Sequence, residues 1–96
     1  MDETGPGSLK CVIGSSPTRA LAEILLPALG AHVVARNIYH LHGETIIVHT
    51  DAETATIREW LTPLLQEDES LLVVEFERWS SQGAAVDRRW LLRRGH

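Results

Sequence analysis

Three histidines near the middle of the chain have a spacing that could serve metal chemistry. They are His40, His42 and His49. If they lie on two neighbouring strands, His40 and His49 form a diagonal pair with Cβ atoms about 7–8 Å apart on one face of the sheet. Imidazole suits zinc, copper or nickel. The same pattern fits polar residues at a seam between two copies of the chain, which would make association depend on pH.

No Cys or Asp completes a standard zinc spacing around these histidines. We therefore expect the protein to need no cofactor. A divalent metal at His40, His42 and His49 is the alternative.

The last nine residues hold a second candidate site. Arg88, Arg89, Arg93 and Arg94 surround Trp90, whereas the rest of the chain carries five positive and 13 negative charges. Arginines around an aromatic ring could contact a phosphate backbone with stacking. They could equally dock on the acidic body of a second copy. The formal charge of −4 argues against a large nucleic-acid footprint and favours docking.

No motif of a catalytic site is present. Residues 14–17 (GSSP) could hold an anion at helix amides, but they match neither the P-loop nor GxGxxG, and helix capping is the favoured interpretation. Ser15 and Ser16 have no predictable His and Asp partners. Cys11 is expected to be a small buried residue, and residues 67–69 a solvated acidic turn. We assign no catalytic residue.

The elements that must position these residues follow from the apolar periodicity. The predicted order is a strand over 9–13, a helix from about 16 to 30, a strand within 31–41, a strand over 45–49, a helix from about 51 to 65 and a strand over 71–76. Ser16 and Pro17 are typical of a helix start, Gly30 of a helix end and Gly43 of a hairpin turn. Periodicity does not decide whether the C-terminal segment is a strand or a helix.

This order predicts an α+β, ferredoxin-like βαββαβ domain. Its four-stranded antiparallel sheet would carry two helices on one face and a short C-terminal extension. Residues 1–8 are expected to be a flexible tail, and residues 9–96 a single domain. The hydrophobic fraction of 44% excludes a disordered chain. A single cysteine, no secretory signal and no apolar run of about 20 residues predict a cytoplasmic protein without a membrane partner.

A two-residue turn at Gly43 and Glu44 sets the predicted register of the hairpin. The face without helices would then carry Ile38, His40, His42, Thr45, Ile47 and His49, together with Leu71 and Val73 of the last strand. An apolar patch of that size in water is typical of an interaction surface. We therefore expect a homodimer formed through the bare face of the sheet or its edge.

The second half of the chain resembles a known family over about residues 43–92. The matching features are Thr50-Asp51, Ile57-Arg58, Leu61, Asp68-Glu69, the strand over 71–76 and Trp79. With these features the chain resembles the SinR-like branch of the CRISPR-associated, VapD-like small ferredoxin-fold proteins. The resemblance implies a dimer made through the sheets and the C-terminal segment.

One position departs from the family pattern. Nuclease members of the wider family carry an Asp at the end of the first strand, where two copies would hold a divalent metal. Here that place reads Ile13-Gly14-Ser15. We therefore expect a non-catalytic dimeric binding or assembly module. The alternatives are a metal-dependent endoribonuclease or other nuclease of the CRISPR-associated or toxin type, and nucleic-acid binding without cleavage through the Arg-rich C-terminus.

Overall fold

The computed structural model describes residues 7–94, whose strands form one antiparallel sheet. The elements are β1 (Ser8–Ser15), α1 (Leu21–Gly30), β2 (Ile38–His42), β3 (Thr45–Thr50), α2 (Thr54–Leu61), β4 (Ser70–Phe76) and α3 (Arg88–Arg94), with short 3₁₀ turns at Ala35–Asn37 and Thr62–Leu64. The strand order β2-β3-β1-β4 confirms the predicted ferredoxin-like α+β fold. Within the described residues, no helix is long and apolar enough to cross a membrane.

The first strand begins one residue earlier than the sequence predicted. Ser8 already belongs to β1 and pairs with Thr50 of β3. The first six residues of the predicted tail lie outside the described part of the chain.

The main core lies between the sheet and the first two helices. Leu21, Leu25 and Leu29 recur at four-residue spacing along α1 and are fully buried. They pack with Val12, Ala22, Ile46, Val48, Ile57 and Leu61. This face of the sheet is therefore closed by α1 and α2, as the order of the elements predicts.

The helix α1 begins five residues later than expected because Ser16 serves a preceding turn. The Ser16 hydroxyl accepts the backbone N–H groups of Thr18 and Arg19 at 3.2 and 3.0 Å. At the helix start itself, the Glu44 carboxylate accepts the N–H of Ala22 at 3.1 Å. The β2–β3 hairpin thus caps α1 from outside the helix, which local sequence cannot reveal.

The predicted hairpin register is wrong because β2 contains a bulge. His42 pairs with Thr45 as expected, but His40 pairs with Ile46 and Ile38 with Val48, so Leu41 is an extra residue. A shift of one residue moves side chains to the opposite face. Ile38 therefore packs against the core under α1 and α2, not on the other face.

The prediction of which β4 side chains lie on the face without α1 and α2 is also wrong. Leu71 and Val73 pack against the core under α1 and α2. The residues on the opposite face of β4 are Leu72, Val74 and Phe76, because Leu72 pairs with Ile13, and Phe76 with Leu9.

The second face of the sheet is not bare, because the C-terminal segment folds over part of it. The helix α3 buries Leu91 in a cluster with Leu9 and Ile47. Tyr39, Leu41, Cys11, Phe76, Trp79, Val86 and Trp90 pack around that cluster. The molecule therefore has three layers, with α1 and α2 on one side of the sheet and α3 on the other.

Adjacent leucines on α3 test whether this third layer stabilises the fold. Leu91 is buried, whereas Leu92 is 53% exposed. Leu91→Ala is expected to lower the free energy of unfolding by about 2–5 kcal/mol, because it leaves a cavity under α3. Leu92→Ala should change it by less than about 0.5 kcal/mol. Urea denaturation measures both, and equal stability of the two variants would contradict the packing of α3.

Candidate interaction surfaces

The three histidines of the predicted metal site are not brought together. His40 is exposed, and its Nε2 atom lies 2.7 Å from the carbonyl oxygen of Gly43. Its pairing with Ile46 puts it on the side of the sheet that carries α1 and α2. His49 is buried on the opposite side, beside Leu9.

His42 is exposed next to the turn. Among residues 7–94, no group of three or more His, Cys, Asp or Glu side chains lies close enough together to hold a metal ion.

The end of β1 offers no alternative metal site of the family type. Ser15 is exposed and pairs with Ser70. Gly14 packs so tightly that a Cβ atom there would lie 3.0 Å from Leu21 Cδ1. Asp51 follows the end of β3 that pairs with Ser8, so it lies at the opposite end of β1 from Ser15.

The predicted arginine cluster divides into anchoring and exposed residues. Trp90 donates its indole N–H to the carbonyl oxygen of Arg36 at 2.8 Å, and its ring centroid lies 5.4 Å from that of Tyr39. The Arg94 guanidinium lies 4.3 Å from the centroid of the Trp90 ring and donates through Nε to Asn37 Oδ1 at 3.1 Å. These two residues therefore attach α3 to the start of β2.

The remaining arginines of the cluster, Arg88, Arg89 and Arg93, are exposed. Asp87 begins α3 by accepting the Trp90 backbone N–H at 3.1 Å. Tyr39 holds the segment that leads into α3, because its hydroxyl donates to Ala85 O at 2.8 Å and accepts the Asp87 N–H at 2.9 Å.

A buried carboxylate at the other end of the molecule was missed by the sequence analysis. Glu69 was expected in a solvated turn, but its side chain is fully enclosed. Its Oε2 atom accepts Arg19 Nε at 2.6 Å and Ser16 Oγ at 2.8 Å. Its Oε1 atom accepts the Gln66 backbone N–H at 2.7 Å and a second N–H of the Arg19 guanidinium. The carboxylate thereby ties the β1–α1 loop to the start of β4.

These hydrogen bonds, with that of Arg19 as the largest contribution, lower the pKa of Glu69 from 4.5 to about 2. The pKa of Arg19 is raised in turn, chiefly by its hydrogen bond to Glu69. Both groups stay charged near neutral pH. They serve as a fixed ion pair and not as a proton donor or acceptor.

The depressed pKa of Glu69 predicts how stability depends on pH. The contribution of ionised Glu69 to the free energy of unfolding is complete above its unfolded pKa of 4.5. This contribution is lost as the pH falls from 4.5 towards the folded pKa of about 2. Glu69→Gln should lower the thermal midpoint at pH 7 and make the midpoint less dependent on pH over that window. Glu67→Gln, at an exposed position, is the control. If both variants follow the wild-type profile, Glu69 does not have the role assigned to it.

Part of the second sheet face stays uncovered by α3. We call Ile13, Leu72 and Val74 the apolar patch; they are 38, 55 and 38% exposed. Ile13 is directly opposite Leu72, and Val74 is opposite Cys11, so the patch is continuous. Burial raises the pKa of the Cys11 thiol, which keeps it neutral and makes it a small apolar neighbour of the patch.

The patch adjoins the free edge of β4. In the described part of the chain, β4 pairs only with β1 and ends the sheet. Residues 70–74 carry no charge, proline or bulge, the features that usually protect an edge strand. Glu75 is the one charged residue of β4. The other edge, β2, has a bulge. A cleft of about 270 Å³ runs between β4 and α2, lined by Thr54, Ala55, Arg58, Leu71, Leu72 and Val73.

These observations define a ferredoxin-like α+β domain with a third helical layer and an exposed apolar edge. Comparison with protein-family models, with curated proteins and with solved structures found no match.

Proposed function

We propose that this protein is a non-catalytic binding and assembly module that works as a homodimer. The observation that carries the proposal is the apolar patch of Ile13, Leu72 and Val74 beside the free edge of β4. A continuous exposed apolar surface next to unpaired backbone groups is typical of a surface that another chain covers.

A second copy of the chain is the occupant that suits this edge best. Most homodimers are symmetric, so the same surface must be complementary to itself. An antiparallel strand meets this condition, because β4 can pair with another β4 around a two-fold axis. Pairing centred on Val73 would put Leu72 of one copy opposite Val74 of the other and join the two apolar patches.

The resemblance to the SinR-like branch supports a dimer made through the sheets. The resemblance also implies that the C-terminal segment contributes to the dimer. We do not include this segment in the proposed interface, because α3 packs on its own sheet through Leu91. A cytoplasmic location is part of the same proposal. It suits a chain whose only cysteine, Cys11, is a free thiol.

Leu72→Lys tests the proposed interface, and Val34→Lys is its matched control. Both wild-type side chains are apolar and about half exposed, at 55 and 52%, but Val34 lies outside the patch. Wild type should show twice the chain mass of 10.7 kDa in light scattering, and Val34→Lys should match it. Leu72→Lys should weaken the dimer at least about tenfold, because each copy loses an apolar contact and gains a charge at the interface.

Dilution from about 100 µM downwards, followed by light scattering, gives the two dissociation constants. Circular dichroism checks that both variants remain folded. A monomeric wild type at the highest concentration would refute the proposal. So would equal dissociation constants for Leu72→Lys and Val34→Lys.

A further inference from the structure

A second surface lies on the opposite side of α3 from the apolar patch. A cleft of about 500 Å³ separates α3 from the 3₁₀ turn at Ala35–Asn37. Four arginines line it, with one carboxylate, Asp87, among them: Arg36, Arg89, Arg93 and Arg94. The chain as a whole has a formal charge of −4, but the arginines in this cleft produce a local positive potential.

The fold assembles this arginine cleft from two distant parts of the chain. Arg89 and Arg93 are four residues apart on α3, so they share one side of the helix one turn apart. Like charges at that spacing oppose helix formation, so the pair does not stabilise α3. Arg36 comes from the turn that precedes β2, more than 50 positions earlier in the chain. Trp90 and Arg94 hold the two walls together through their bonds to Arg36 O and Asn37.

The chemistry of the lining suits phosphate groups. Guanidinium groups bind phosphate oxygens through paired N–H donors. The exposed Arg89 and Arg93 present such donors on one side of α3. The aromatic ring of the cleft is already in use, because the Arg94 guanidinium lies over Trp90 and Tyr39 lies 5.4 Å away. Trp90 therefore has no role as a platform for stacking a base.

We propose that the arginine cleft binds the phosphodiester backbone of nucleic acid without reading its sequence. This site is independent of the proposed dimer interface. The cleft spans one helical turn, so we expect it to engage two to three phosphates. For a single strand, each phosphate contact contributes about 0.7 to the slope of the logarithm of the binding constant against the logarithm of salt concentration. The observed binding constant should therefore fall about 7- to 18-fold between 50 and 200 mM salt.

The structure separates Arg88 from this site, although it is next to Arg89 in the sequence. Arg88 lines a different cleft with Trp79, Ser80 and Leu92. Arg88 and the exposed Arg58 of α2 therefore provide a control pair with the same loss of charge. General electrostatic attraction to the whole protein would respond equally to both pairs.

Fluorescence anisotropy with a labelled 20-nucleotide single-stranded RNA tests the proposal. Arg89→Gln/Arg93→Gln should raise Kd about tenfold or more and reduce the salt slope by about 1.4 units. Arg58→Gln/Arg88→Gln should raise Kd less than about threefold. Equal losses in the two double variants would overturn the proposal, as would no binding by the wild type at 50 mM salt and 100 µM protein.

Three further probes identify the source of the phosphate chemistry. Single-stranded DNA and RNA of other sequences should bind within about threefold of the first RNA, because backbone contacts carry no sequence information. A preference above about tenfold for one sequence would contradict backbone binding. Binding of inorganic phosphate by a protein that binds none of the oligonucleotides would show a small-anion site. Tighter binding of a polyglutamate peptide would show a protein-docking site, and either result would overturn the proposal.

Discussion

The packing of α3 against the sheet is the contact on which both surfaces depend. A four-stranded sheet has two faces to remove from water, and α1 and α2 cover only one. Leu91 and Trp90 bring α3 onto the other face beside Leu9 and Ile47. Since α3 has seven residues, it covers the Leu9 end of that face and leaves the Ile13 end open. The same helix turns Arg89 and Arg93 outward into the arginine cleft. One short element therefore shapes both the apolar patch and the arginine cleft.

Polar contacts fix the opposite end of the domain. The Glu69 carboxylate joins the β1–α1 loop to β4, and Glu44 brings the β2–β3 hairpin to the start of α1. The Glu69 carboxylate is enclosed and accepts several hydrogen bonds, which hold it in its ionised form. The free edge of β4 therefore begins at a fixed point.

The order of the elements could be predicted because β-branched runs and a helical spacing of leucines are local signals. The register of the β2–β3 hairpin could not be predicted, because the bulge at Leu41 arises from sheet geometry and not from residue type. This single bulge separates His40 from His49 and moves Ile38 into the core. Glu69 could not be found because its partner Arg19 is 50 residues away.

The number of arginines near the C-terminus marks this segment as a candidate site. The sequence does not show that Arg94 anchors α3 whereas the other arginines of the helix are exposed. Seven residues give too little periodicity to show that α3 is a helix or which side it buries. Arg36 joins the cleft only through the fold. The most direct test of the account is a methyl NOE spectrum of the full chain. A strong cross-peak between Leu91 and Ile47 is the result that we expect. Leu91 methyls at random-coil shifts with no contact to the sheet would contradict the three-layer structure and both surfaces with it.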